Sequence, residues 1–164
     1  MKALVALILG VGCFQQIASA KAYFQSKQEM IEKAEVIAVI TISDVEPAEE
    51  KGKVWTYQQK GKATVESVLK GNIADEFQIH GSETFICASC PIKEGRYIAF
   101  LKKDGKLWTG SNWHLSLRPI DDDDAAQWHA ADDNRYEMKS APLKTVLAEI
   151  NAILASLKKE KAGV

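Results

Sequence analysis

Apolar residues recur along the chain with two periods, and the change of period separates a sheet-forming part from a helical end. The run 36–42 is β-branched and apolar on both alternating faces, which is typical of a strand buried between a barrel interior and a helix. A second strand, 54–69, alternates until Val68, where the pattern breaks. Such a break indicates a bulge or bend, which a curled strand in a small barrel requires.

Shorter apolar runs bounded by turn residues predict the remaining strands, which are 76–80, 96–101, 106–109 and 114–118. Asp104 and Gly105 form a hairpin signal between two of them. Segment 46–52 contains Pro and Gly among charges and predicts a turn after the first strand. Segment 121–133 is expected to be an acidic connection.

Two segments carry helical signals, one at each end of the barrel sequence. Ser26 and Glu29 have the spacing of a capping box, which predicts a short helix over 27–33. A single apolar stripe predicts a long amphipathic helix over 142–159; its residues are Leu143, Val146, Leu147, Ile150, Ile153, Leu154 and Leu157. Because the stripe lasts only about two heptads, we expect it to pack on the sheet and not in a coiled coil.

The first twenty residues have the three parts of a secretory signal peptide. These parts are a basic start (1–2), an uncharged apolar run (3–12) and a small-residue cleavage site (18–20). The apolar run is too short to cross about 30 Å of hydrocarbon. We therefore expect cleavage after Ala20, which also removes Cys13, and a single mature domain over 21–164 in the periplasm or outside the cell.

The charges of the chain are nearly balanced, since 21 Lys and Arg face 22 Asp and Glu. Nucleic-acid binding usually requires a basic face, so no nucleic-acid partner is expected. No second apolar segment approaches membrane length, so no membrane span is expected in the mature chain. We expect a monomer without a cofactor, whose partner is an extracytoplasmic protein or ligand.

Cys87 and Cys90 are the only thiols that remain once the leader is removed. A redox-active pair of the thioredoxin type places its first thiolate at a helix N-terminus, where the dipole lowers the pKa. Pro91 and Gly95 leave no room for that helix, so a local disulfide between Cys87 and Cys90 is the favoured interpretation in an oxidising compartment. Closing so small a loop is worth only about 2 kcal/mol. A redox-active pair is the alternative.

Other motifs of catalysis and metal binding are not matched. The acidic segment has Ala125 and Ala126 where a calcium loop needs a ligand and a Gly. There is no zinc-protease helix motif, nucleophile elbow, phosphate loop or dinucleotide fingerprint, so no catalytic residue and no metal site are predicted. The binding candidates are Trp113 and His114 in a turn, and Ser89 in the loop between the third and fourth strands.

Four segments resemble a known family: residues 34–39, 65–71, 95–102 and 107–110. They are similar to bacterial exported proteins related to the netrin module and the tissue inhibitors of metalloproteinases. The resemblance covers roughly residues 34–157. It implies a mainly β fold with flanking helices, in which an OB-like antiparallel barrel of five to six strands lies between a short N-terminal helix and a long C-terminal helix.

The chain departs from the metalloproteinase inhibitors at its expected N-terminus. Those inhibitors present an N-terminal Cys to the enzyme's zinc, whereas the mature chain is expected to begin at Lys21, with no Cys nearby. We therefore predict an exported, non-catalytic binding or interaction module. Two alternatives are an extracytoplasmic thiol-disulfide oxidoreductase that uses Cys87 and Cys90, and a peptidase inhibitor that acts through a loop near the barrel mouth.

Overall fold

The computed structural model describes residues 24–82, 90–130 and 137–163. The expected signal peptide therefore lies outside the described residues, as do Cys87 and Ser89. The elements in these ranges are α1 (Lys27–Lys33), β1 (Val36–Lys51), β2 (Thr56–Lys70), β3 (Glu76–Gly81), β4 (Gly95–Asp104), β5 (Leu107–Gly110), a 3-10 turn (Trp113–Ser116), β6 (Leu117–Ile120), β7 (Ala125–His129), β8 (Met138–Pro142) and α2 (Leu143–Ala162).

The first five strands close into a barrel. Their order is β1-β2-β3-β5-β4, and β4 returns to β1 through antiparallel pairs that run from Val36–Leu101 to Ile42–Gly95. One contact differs from the predicted antiparallel pattern, since β3 and β5 pair in parallel at Ile79 and Trp108. The predicted class, a mainly β OB-like barrel with flanking helices, is confirmed.

Residues 36–40 of β1 and 98–101 of β4 are buried on both faces because they separate two hydrophobic cores. The barrel core includes alternate residues of the two strands: Val36, Ala38, Ile40, Ile42, Ala99 and Leu101. The intervening residues Ile37, Val39, Ile98 and Phe100 belong to the second core, beneath the helices. The double burial predicted for residues 36–42 is therefore confirmed for residues 36–40, whereas Thr41 is exposed.

Strand β1 is longer than the sequence pattern predicts. Residues 46–51, expected to be part of a turn, continue as strand to Lys51, which pairs with Thr56 of β2. The pairing of this end of β1 with β2 has two register shifts, one of them just after Pro47. A bulge at this position tolerates the missing N–H of Pro. The break predicted near Val68 is confirmed, because Ile37 and Ala38 pair with Lys70 and Val68 and leave Leu69 as an extra residue.

Three further strands extend β4 into a layer that carries α2. Strand β6 pairs with β4, and β7 and β8 continue the sheet outward. The expected acidic connection thus contains a strand whose Trp128 is 1% exposed. The Trp128 indole donates to Glu149 of α2 at 2.7 Å, and Lys27 of α1 pairs with the same carboxylate, which fixes both helices over the sheet.

Both predicted helices form. The capping box at Ser26 is present, with the Ser26 hydroxyl and the Glu29 side chain each accepting the other residue's backbone N–H. Helix α2 contacts α1, β7 and β8, which agrees with packing on the sheet. No helix within the described ranges is long and apolar enough to cross a membrane.

Candidate binding site at the barrel mouth

Three turns meet at one end of the barrel, and we call their surface the mouth. They are residues 52–55 between β1 and β2, residues 105–106 between β4 and β5, and the 3-10 turn Trp113–Ser116. The first two turns are in close contact. A Cβ on Gly105 would lie 3.3 Å from the backbone nitrogen of Lys53, and a Cβ on Gly52 would clash with the Asp104 carboxylate. The two hairpins therefore act as one protrusion.

Asp104 holds the mouth in shape. Its carboxylate accepts hydrogen bonds from the backbone N–H of Val54 at 2.9 Å and of Trp55 at 3.0 Å, and from the Tyr57 hydroxyl at 3.0 Å. Burial acts to raise the pKa of the Asp104 carboxyl, but these donors outweigh it and hold the pKa below its ordinary value. Burial and the Asp104 charge together raise the pKa of Tyr57, which keeps Tyr57 a donor.

An aromatic pair lies beside this clamp. The rings of Trp55 and Trp113 meet edge to face at 5.4 Å and 71°, and both side chains are half-buried. The turn that carries Trp113 packs tightly on β5, because a Cβ on Gly110 would lie 2.8 Å from the Trp113 carbonyl oxygen. Val54, at the tip of the neighbouring hairpin, is 62% exposed. The mouth thus carries an apolar patch of Val54, Trp55 and Trp113.

Exposed lysines lie near the tips of the two hairpins that form the mouth. Within residues 51–53 and 102–106 there are five: Lys51, Lys53, Lys102, Lys103 and Lys106. None of the ion pairs between described residues involves them, and Lys103 lies over the Trp108 ring at 4.8 Å. Glu49 on the same arm is exposed, while Asp104 is 6% exposed and fully engaged. The mouth is therefore basic although the chain is nearly neutral.

The predicted loop site lies partly outside the described residues. Its base is closed by a bridge between Ser82 and Cys90, with N–H···O distances of 2.7 and 3.0 Å. Cys90 is 1% exposed, and burial raises its pKa to about 12, against the opposing effect of a hydrogen bond from the Gly110 backbone. The base of this loop and the turn carrying Trp113 thus meet at Gly110. Cys90 forms no disulfide within the described part, and the Cys87–Cys90 bond stays a prediction.

The three histidines lie in different environments. His114 is exposed on the mouth. His80 is buried, with its ring nitrogens 3.0 Å from a Glu50 carboxylate oxygen and 3.3 Å from the Trp108 carbonyl oxygen. His129 is buried against the Trp128 ring. Across residues 24–82, 90–130 and 137–163, no group of three or more His, Cys, Asp or Glu residues could hold a metal ion.

A concave surface lies elsewhere, on β1, β2 and β3. It is an open groove of about 420 Å³, lined by Asp44, Glu46, Lys60, Gly61, Lys62, Glu76, Phe77 and Gln78. Both of its lysines already pair with carboxylates, Lys60 with Glu46 at 3.4 Å and Lys62 with Glu76 at 2.8 Å. The lysines of the mouth have no such pairs among the described residues, so the mouth is the better candidate for an external charged partner.

No protein-family model matches the chain, and no curated protein matches it. The function is therefore argued from the geometry of the mouth.

We expect Cys90 to be unreactive in the folded protein. In a Cys87→Ser variant of a chain that comprises residues 21–164 it is the single thiol, and iodoacetamide at pH 8 should label it at least about a hundredfold more slowly than in the urea-unfolded chain, because the nucleophile is the thiolate. Mass spectrometry at timed intervals gives both rates. Equal rates would show an accessible, ionised thiol and would support the redox alternative.

Proposed function

We propose that this protein is an exported, non-catalytic binding module and that the mouth is its contact surface. The observation that carries the proposal is the Trp55–Trp113 pair, in which the Trp55 backbone N–H donates to the Asp104 carboxylate and the turn of Trp113 packs on Gly110. Tryptophan is enriched among the residues that dominate binding energy. A surface that is already ordered loses little conformational entropy when a partner binds.

The proposal includes export and a relation to the netrin-type module. Export rests on the tripartite pattern of residues 1–20. The relation rests on the segments quoted above, and a five-stranded barrel followed by a long C-terminal helix supports it. Fold alone does not fix function, and the surface that supports binding is the mouth.

The burial of Cys90 favours the binding module over the thiol-disulfide oxidoreductase. A reactive cysteine is partly exposed and has a lowered pKa, since the thiolate is the nucleophile. Cys90 is buried and its pKa is raised to about 12. The peptidase-inhibitor alternative draws on one feature, the exposed Val54 at the tip of a rigid hairpin.

Site-specific photocrosslinking in the producing cells tests the proposal. A photoreactive amino acid replaces Val54 or His114, both exposed on the mouth, and in matched controls it replaces Asn151 on α2 or Thr64 on β2, both exposed elsewhere. We expect discrete adducts from the two mouth positions at about tenfold higher yield than from the controls, because hot spots lie at the centre of an interface.

Two results would contradict the proposal. Equal adduct yields from all four positions would remove the mouth as the contact surface. Saturable turnover of a thiol, ester or peptide substrate by the purified mature chain would show an enzyme. Identification of a peptidase as the crosslinked partner would shift the proposal to the inhibitor.

A further inference from the structure

We infer that the partner of the mouth is a lipid bilayer with anionic headgroups, on which the protein docks peripherally. The inference rests on the proposed function, because it names the partner of the same surface. It draws on the charge of the two hairpins, on their apolar tip and on the distribution of acidic residues along β4.

The two hairpins concentrate positive charge at one end of the molecule. Five exposed lysines lie within residues 51–53 and 102–106, and the backbones of the two tips touch. Basic residues near an anionic lipid surface are attracted to it over roughly one Debye length, about 8–10 Å at moderate salt. Adjacent tips can bring these lysines within that range together.

The tip of the protrusion is apolar, which favours a bilayer over a water-dissolved polyanion as the partner. Val54 is 62% exposed between Lys53 and Trp55. An exposed valine gains little from a hydrated acidic chain, whereas it can enter the boundary between headgroups and acyl chains. Indole side chains, such as those of Trp55 and Trp113, favour that same interfacial region.

All five exposed cations within residues 51–53 and 102–106 are lysines. The planar guanidinium of arginine matches single carboxylates and phosphates through paired hydrogen bonds, whereas a lysine ammonium acts as a point charge. A patch of lysines therefore suits the diffuse potential of many headgroups better than one acidic side chain. Arg96, by contrast, is engaged far from the mouth by Glu66 at 2.8 Å and by Asp124.

An exposed acidic run lies at the opposite end of β4 from the mouth. The exposed run Asp121–Asp124 contacts Arg96 near the beginning of that strand, while the mouth follows its last residue, Asp104. Eight residues of extended strand separate Arg96 from Asp104 by roughly 25 Å. This charge asymmetry would turn the mouth toward an anionic surface and the acidic run away from it.

Vesicle sedimentation with the mature chain, residues 21–164, tests the inference. The probes are vesicles of phosphatidylcholine alone and of phosphatidylcholine with about 30 mol% phosphatidylglycerol, at low and high salt. We expect binding only to the anionic vesicles, weakened by salt. Replacing Lys51, Lys53 and Lys106 by Ser should weaken it by roughly two orders of magnitude, about fivefold for each lysine.

A matched control keeps the change in net charge constant. The variant with Lys144, Lys158 and Lys159 of α2 replaced by Ser alters three exposed lysines away from the mouth and should bind like the parent. Val54→Ser should weaken vesicle binding without changing its salt dependence, because it removes only the apolar contribution. Unfolding midpoints within error of the parent would show that all variants fold.

Absence of binding to the anionic vesicles, or equal loss in both triple variants, would overturn the inference. Salt-dependent capture of soluble polyglutamate by the mouth without vesicle binding would also overturn it, in favour of an acidic protein partner. If vesicles fail while Val54 still crosslinks specifically to a soluble partner, the binding module stands and only the lipid assignment falls. If specific crosslinking is also absent, both fall.

Discussion

Replacing Asp104 by alanine is expected to lower the free energy of unfolding by about 3 kcal/mol, because it leaves three hydrogen-bond donors without their acceptor. The backbone N–H groups of Val54 and Trp55 and the Tyr57 hydroxyl all bond to this carboxylate. Because water can reach part of the exposed turn 52–55, the loss of stability is smaller than the full desolvation penalty of all three donors. Equilibrium urea unfolding followed by tryptophan fluorescence measures it.

The acid dependence of stability gives a second readout of the same residue. The pKa of the Asp104 carboxyl is lower in the folded chain than its ordinary value, so its contribution is present above the unfolded pKa and is lost as the pH falls through the folded one. The loss of stability that the parent shows below about pH 4 should be smaller in Asp104→Asn, which has no carboxyl group to protonate and keeps one acceptor oxygen. If the free energy of unfolding of Asp104→Ala lies within about 0.5 kcal/mol of the parent value and changes with pH as in the parent, the hydrogen bonds of Asp104 do not hold the turn 52–55 in place.

Replacing Phe100 by alanine is expected to lower the free energy of unfolding by about 3–5 kcal/mol. The ring is fully buried beneath the helices and stacks on Trp128 at 6.1 Å and 18°. Its neighbours Ala99 and Leu101 face the barrel interior, so a cavity here loosens the wall that the two cores share. We therefore expect the helices and the barrel to unfold in one transition, with coincident far-UV and near-UV signals.

Phe100→Leu is the matched control, because it keeps most of the apolar volume and should cost less than about 1.5 kcal/mol. Separate transitions for the helical and aromatic signals would show that the helix layer is independent of the barrel. A cost below about 1 kcal/mol for Phe100→Ala would show that the site collapses around the missing ring.

The parts of the fold that local patterns determine could be predicted from the sequence. Apolar residues on both faces of 36–42 predict a strand between two cores, and the break at Val68 predicts the bulge at Leu69. The capping box at Ser26 and the apolar stripe of α2 each depend on neighbours within a few turns. In each of these cases the residues that determine the structure lie within one helix or strand, so the hydrophobic pattern of that element alone predicts it.

The turn that carries Trp113 and His114 could be predicted as a binding candidate, but the mouth as a whole could not, because its parts are distant in the sequence. Lys51 and Lys53 lie about fifty positions before Lys102 and Lys106, and only the closure of the barrel brings their hairpins together. The nearly neutral composition conceals this patch. Trp128 was expected in an acidic connection for a related reason, since its burial depends on pairing between β7 and β8 and on α2 above them.

The most direct test of the mouth as the binding surface is the ratio of photocrosslinked adduct formed from Val54 to that formed from Asn151 in the producing cells. The two positions are both exposed, one on the mouth and one on α2. The account predicts a ratio of about ten or more, with discrete adducts from the mouth. A ratio near one would contradict the assignment of the mouth as the binding surface.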